Sequence, residues 1–344
     1  MMDMMNASTS PHIRSSLSTA TVMRDVAIAL MPALLFGVFV FGLRALVVIL
    51  LCAVTCVLTE WLYQRLMKLP VTVADGSALV TGLILAMNLP ASVPVYLPIL
   101  GSVFAIIVVK QVFGGIGQNV MNPALGARCF LLLSYGKAMG TFQPVGNVFG
   151  AGAFDAFIDR MTTWNVLPAD GASAATPLTG MLGEDKTSVD LLQAFLGNHS
   201  GCIGEVSAVA ILLGFVYMMW RSVISWRIPT LYVGSTVVFV FLVNLLLGNG
   251  VTGWHELASH VLTGGLLAGA VFMATDYVTS PITPVGQVVY ALLIGLLTAL
   301  FRVFGAAEGV SFAIIIANCV VPLIEKVTMP HAFGTPRKKG GKAK

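Results

Sequence analysis

Charge is what this sequence has least of. Only 10% of its 344 residues are Asp, Glu, Lys or Arg, while 57% are hydrophobic. Soluble globular chains carry about 25% charged residues. So few charges cannot cover the surface of a water-soluble domain of this length, which excludes soluble enzymes and disordered chains. No basic stripe with interleaved aromatics is present, so nucleic acid is not an expected partner. Cysteine is sparse too. Cys52, Cys56, Cys129, Cys202 and Cys319 form no Cys-x-x-Cys pair, which argues against a disulfide framework or a thiolate metal site. Cys52 and Cys56 are four apart on an expected helix and read as packing residues or, alternatively, as ligands to a metal or cluster shared with a partner subunit. The five histidines show no ligand or triad spacing: His255 and His260 are five apart, off the i,i+4 geometry, and read as interfacial. The first 23 residues are polar, without the apolar core of a cleavable signal peptide.

What the sequence has is long apolar runs. Every backbone polar group must be satisfied inside lipid, so these runs predict membrane helices. Spans are expected near 26–43, 45–63, 206–220, 229–247, 288–304 and 309–326, with shorter or interrupted ones at 77–89, 95–110, 123–135 and 258–274. The run 77–89 reaches only about 20 Å at 1.5 Å per residue, against a hydrocarbon core of about 30 Å. Short apolar pieces beside Gly, Asn and Pro loops predict broken helices that line a protein-filled or watery site. The expected fold is an all-α polytopic membrane protein with about ten transmembrane helices, some short or broken.

The charges that exist suggest an orientation. Arg14, Arg24, Arg65, Lys68, Lys110, Arg221, Arg227 and the basic tail fall on one side of a ten-span arrangement. The other side receives Arg44, Arg302 and a long loop, 136–205, richer in acids. The positive-inside rule then places both termini in the cytoplasm and the long loop outside. The resulting division is a tail 1–25, a first membrane half 26–135, the external loop 136–205, a second half 206–327 and a basic tail 328–344. Five spans on each side of the loop would insert with opposite orientation. Thr81-Gly82 with Leu85-Ala86 recurs as Thr263-Gly264 with Leu267-Ala268, so an inverted five-plus-five repeat is expected.

Three polar segments interrupt the apolar background. The first joins Gly114, Gly115 and Gly117 to Asn119 and Asn122, with Pro123 placed to open a helix that Asn122 caps. It reads equally as a Gly-rich turn or as a loop holding a ligand between half-helices. The second runs from Thr275 through Asp276, Tyr277, Thr279, Pro281 and Pro284 to Gln287. A carboxylate near membrane depth is costly unless paired, solvated or used. Asp276 therefore reads either as a cap on a helix end or as a group handling an ion. Glu60, Asp75, Glu308 and Glu325 are the other embedded acids, and Asp75 or Ser77 is placed to cap the third span. The third segment, Asp170-Gly171-Ala172-Ser173-Ala174-Ala175-Thr176-Pro177, is a turn of small residues that leaves the Thr176 hydroxyl accessible.

These segments carry a resemblance. The third resembles the Asp-Gly-x-Ser-x-Ala-Thr signature at which a flavin transferase attaches FMN to threonine. The chain over roughly 10–330 looks like the D subunit of Rnf-type ion-translocating electron-transport complexes, a relative of the B subunit of sodium-pumping NADH:quinone reductases. The run Lys110-Gln111-Val112-Phe113-Gly114-Gly115 through Pro123, and Ala274 through Gln287, are similar to the family's loops in its two halves. Tyr277 stands where the family usually has Pro. The resemblance implies covalent FMN on Thr176 through a phosphoester, with Asp170, Gly171 and Ser173 as recognition elements for the transferase. The family relative also holds a non-covalent riboflavin in its membrane domain. Here the loops 114–123 (Gly114, Gly117, Asn119, Asn122) and 275–287 (Thr275, Asp276, Thr279) would wall it.

The implied activity is electron relay between ferredoxin and NAD(H) carriers, coupled to Na+ or H+ translocation in a bacterial inner membrane. The implied partners are the other subunits of the complex, the flavin transferase and membrane lipid. The redox chemistry belongs to the flavin, so no catalytic side chain is expected in this subunit, which is not an enzyme alone. Two alternatives stand beside it: a quinone-reductase B subunit, whose chains carry a longer N-terminal region, and a flavin-free secondary transporter or channel, which broken helices would also suit.

Overall fold

The computed structural model describes residues 18–145, 148–149, 152–162, 176–182, 189–248, 252–304 and 309–329. These residues form helices and connecting turns, with no strand among them. In chain order the helices are α1 (Thr19–Phe41), α2 (Leu43–Leu66), α3 (Ser77–Met87), α4 (Tyr96–Phe104), α5 (Pro123–Ser134), α6 (Gly136–Met139), α7 (Ala153–Thr162) and α8 (Pro177–Leu182). They continue as α9 (Leu191–Leu196), α10 (Ala208–Trp220), α11 (Arg227–Leu246), α12 (Trp254–Leu262), α13 (Leu266–Ala268), α14 (Pro284–Val303) and α15 (Gly309–Thr328). Helix α4 runs on as a π-helix over Ala105–Gln111, and α13 as another over Gly269–Met273.

Five helices (α1, α2, α11, α14 and α15) are long and apolar enough to cross a membrane. The α12/α13 pair, bent by 58° at its break, makes six if counted as one span. Four shorter apolar helices complete the set: α3, the α4 helix through Gln111, α5 and α10. The expected interruptions therefore appear where Gly, Asn and Pro break the apolar runs. The run 206–220, expected as a full span, is a helix of 13 residues. Helix α1 begins at Thr19, earlier than expected, because the Ser18 Oγ accepts from the Thr21 amide and starts the helix among polar residues. The segment 136–205, expected as a plain loop, holds four short helices in its described parts.

Large apolar side chains such as Leu35, Leu58, Val216 and Leu246 point outward, as suits helices whose solvent is lipid. Association inside lipid depends on close packing rather than on hydrophobic exclusion, so small residues sit at the crossings. Helix α11 packs along α14 at Gly295, where an added Cβ would overlap the Ser235 hydroxyl. That hydroxyl donates across the crossing to the Ala291 carbonyl at 3.2 Å. Gly214 of α10 meets the Ala29 carbonyl of α1 in the same way.

Two arginines correct the charge-based reading of their positions. Arg302, counted as an external loop charge, is wholly buried. It donates to the carbonyls of His260, Thr263 (3.1 Å) and Gly264 (3.2 Å), which the break between α12 and α13 leaves without helical partners. Arg44 does the same beyond α3, donating to the Ala91, Ser92 and Val93 carbonyls at 3.0–3.2 Å. His260, read as interfacial, is also buried, drawn in by the same break.

Candidate functional site

The two polar membrane loops are built alike. Each follows a π-helical segment and leads into a helix opened by proline. In the first, Gly114, Gly115 and Gly117 adopt φ of 113°, 93° and 86°, a backbone region open to glycine at little cost. Asn122 Oδ1 accepts from the Ala124 and Leu125 amides at 3.0 and 3.4 Å, with Pro123 in the first helical position, as the sequence predicts. In the second, Thr283 Oγ accepts from the Gly286 amide at 3.1 Å, and Pro284 opens α14. The first loop meets the end of the second π-helical segment: Asn122 Nδ2 donates to the Met273 carbonyl at 3.5 Å.

Between the two loops lies a cleft in which the centre of a water molecule has about 90 Å3 to move. Asn119 and Asn122 line it from the first loop, Thr275 and Asp276 from the second. Gly114, Gly117 and Thr279 do not line it. The two glycines shape the loop at its exposed edge, and Thr279 is buried behind Asp276, donating to its Oδ2 at 3.1 Å. Asp276 also accepts from the Val278 amide at 3.4 Å. Thr275 Oγ donates back to the Val271 carbonyl at 2.7 Å. Val80, Ile84, Met218 and Phe272 supply the apolar walls. Tyr277 sits at the rim, its hydroxyl donating to the Val223 carbonyl.

The remaining polar wall is Lys110 and Ser77. Lys110 Nζ donates to Glu60 Oε2 at 2.7 Å, to Oε1 at 3.0 Å and to Ser77 Oγ at 2.7 Å, all in the protein interior. Gln111 and Gln64 donate to the same Glu60 oxygen at 3.0 and 3.3 Å. Ser77 in turn donates to Asp75 Oδ1 at 2.7 Å, and the same oxygen accepts from the Ser77 amide; the cap position of α3 is Gly76, so neither Asp75 nor Ser77 caps the helix as expected. In the sequence Lys110 counts only as an orientation marker, because its partner lies 50 residues away. A buried pair of this kind stands only when its hydrogen bonds are complete. Here the network is complete, and it presents a cation to the cleft.

Thr176 lies elsewhere, at the start of α8. Its Oγ accepts from the Thr179 amide at 3.3 Å. With His199, Cys202 and Glu205 it lines a narrow cavity in which the centre of a water molecule has about 20 Å3 to move. Glu205 is paired with buried Arg128 at 2.9 Å, and Arg128 also donates to Asn88 Oδ1. Asp170, Gly171 and Ser173 lie outside the described residues. Among the described residues, no group of three or more His, Cys, Asp or Glu side chains could hold a metal ion. Cys52 and Cys56 are buried without a disulfide.

Long apolar helices, broken spans and a polar cleft between them define a multi-pass membrane protein. The chain belongs to the NQR2, RnfD, RnfE family, whose model matches residues 6–334, and within it is of the Rnf D-subunit type. It is 42% identical over 345 residues to the D subunit of the Na+-translocating ferredoxin:NAD+ oxidoreductase complex of Acetobacterium woodii, covering 98% of both chains. It is 38% identical to the D subunit of the proton-translocating ferredoxin:NAD+ oxidoreductase complex of Clostridium ljungdahlii, covering 96% of each. A third relative, the D subunit of the ion-translocating oxidoreductase complex of Stutzerimonas stutzeri, is 36% identical over 94% of this chain and 93% of its own.

Proposed function

We propose that this chain is the membrane D subunit of an ion-translocating ferredoxin:NAD+ oxidoreductase complex, relaying electrons through an FMN attached to Thr176 and a non-covalent flavin of riboflavin type in the cleft. The observation that carries the reading is the end-to-end similarity to subunits so named, from two organisms, at 42% and 38% identity. A bound flavin supplies exchange of one or two electrons. The chain supplies placement. The cleft's mixed lining of polar and apolar side chains suits an isoalloxazine ring, which has a pyrimidine edge of donors and acceptors and a dimethylbenzene edge. The Asn119 carboxamide oxygen and the acceptor side of the Thr275 hydroxyl are offered to the former, and Val80, Ile84 and Phe272 offer an apolar surface to the latter. Lys110 favours negative charge in the cleft, and its pairing with Glu60 moderates that effect.

Ten spans in an inverted five-plus-five arrangement, both termini in the cytoplasm and Thr176 on the external side of a bacterial inner membrane complete the reading. The other subunits of the complex, a flavin transferase and the surrounding lipid are its partners. Asp276, whose carboxylate forms no ion pair among the described residues, is the group proposed for the ion path, carrying Na+ or H+. The names of the two relatives divide between these ions. Ultraviolet flavin fluorescence of the denatured band on a gel tests the covalent part. The wild type should fluoresce and Thr176→Ala should not. A dark wild-type band would instead favour a flavin-free transporter, and fluorescence retained in Thr176→Ala would move the attachment elsewhere.

A further inference from the structure

A continuous chain of hydrogen bonds joins the turn before α3 to the wall of the cleft. Asp75 is half-buried in that turn. Its Oδ1 accepts from the Ser77 hydroxyl at 2.7 Å, and Ser77 Oγ accepts from Lys110 Nζ at 2.7 Å. Ser77 and Lys110 both line the cleft. Glu60 ends the chain, accepting from Lys110 at 2.7 and 3.0 Å. Gln64 ties the turn to it: its Nε2 donates to Glu60 and to the Thr72 hydroxyl, and its Oε1 accepts from the Thr72 amide at 3.0 Å. Two features set this network apart from an ion pair kept for stability. Well-packed apolar residues of similar volume often stabilise as much as a buried pair, so stability alone does not account for it. Lys110 and Gln111, neighbours in sequence, also both reach Glu60, and they do so from a π-helical segment, a distortion frequent at functional sites.

We propose that Asp75, Ser77 and Lys110 form a proton relay from the turn before α3 to a group reduced in the cleft. The inference rests on the proposed flavin there. The electrons are those of the proposed ferredoxin and NAD(H) chemistry; the relay moves only protons. Reduction adds negative charge in a poorly solvating place, and a proton offsets it. An ammonium has three donors. Two of those on Lys110 rest on one carboxylate, so one can turn to the cleft while Glu60 keeps the other. The Nζ–H bond breaks toward the acceptor in the cleft, and Nζ takes the Ser77 hydroxyl proton. Ser77 Oγ takes a proton from the Asp75 carboxyl group, which has gained it from water. One proton enters from solvent for each one delivered, and every relay group ends as it began. Glu60, left for that interval without its cation, is the charge that draws the replacement in.

Pulse radiolysis of the purified complex tests this, because it delivers electrons faster than protons follow. The absorbance change that marks protonation of the reduced flavin times the arrival of the proton. Asp75→Asn keeps an acceptor for the Ser77 hydroxyl and amide but cannot carry a proton. Ser77→Ala removes the middle link. Both should slow proton arrival several-fold while electrons arrive at the wild-type rate, and Ser77→Thr, which keeps a hydroxyl, should recover most of the loss. Added formate, a small acid, should restore Asp75→Asn, where the missing donor is the half-exposed one. It should not restore Ser77→Ala, where the gap lies inside. Proton arrival unchanged in either variant overturns the relay. So does a slow Asp75→Asn that formate leaves slow, which is what a merely structural role for Asp75 predicts. Acid extraction of the wild-type complex that releases no riboflavin overturns the flavin in the cleft instead, which keeps the two failures distinct.

Discussion

Lys110 and Glu60, 50 residues apart in sequence, meet at 2.7 Å between the helix that ends in the first π segment and α2. Both side chains are buried, at 3% and 1% exposure. Removing either alone strands a charge in a medium that cannot solvate it. Lys110→Ala should therefore lose about 3–5 kcal/mol, read as a large drop in thermal stability in detergent. The double variant Lys110→Met with Glu60→Leu should recover much of that loss. A Lys110→Ala protein as stable as one carrying Lys68→Ala, a change at an exposed position, would show that the pair contributes nothing.

The α11–α14 crossing makes a steric prediction. Gly295→Val forces a side chain into the space of the Ser235 hydroxyl and should cost about 1–3 kcal/mol. Adding Ser235→Gly should return part of it. Thermal unfolding of the two proteins compares them directly, and equal midpoints would exclude the overlap as the cause.

Arg302 predicts a local defect. Without it, three carbonyls at the α12/α13 break lose their donor, each left at about 1–3 kcal/mol if it stays dry. Arg302→Met should destabilise strongly, and Arg302→Lys should rescue only in part, since an ammonium cannot reproduce the fork of donors. Hydrogen exchange at 260–268 reports the break; unchanged protection there in Arg302→Met would count against this role.

Asp276 predicts a separation of functions. Asp276→Asn keeps an acceptor for the Val278 amide and Thr279 hydroxyl but removes the charge. Ion uptake into vesicles holding the complex should fall well below the wild-type rate, since an intramembrane carboxylate on an ion path acts through its charge, while the protein remains assembled. Uptake and electron transfer both at wild-type rates would remove Asp276 from the ion path.

The parts legible in the sequence are those set by local rules. The Pro123 and Pro284 helix starts, the Asn122 cap and the shortness of the 77–89 run follow from residue type and length alone. That residues of 114–123 and of 275–287 line one cleft follows from no local rule; the family resemblance alone drew the two segments together. What the sequence hides is pairing at a distance. Lys110 reads as a topology marker and Arg302 as a loop charge, because an isolated cation in a sequence looks the same whether it faces water or a buried carbonyl.

The π segments before the two cleft loops have a further consequence. A π-helix is in effect an α-helix holding a surplus residue. Deleting one residue within Ala105–Gln111 would let the turn close to ordinary pitch and rotate Lys110 off the face it shares with Glu60. The same deletion within Gly269–Met273 would swing Thr275 away from the cleft. Each wall is thus aimed by a miscount in its own helix, so the polar lining depends on the number of residues in these turns as much as on their identity.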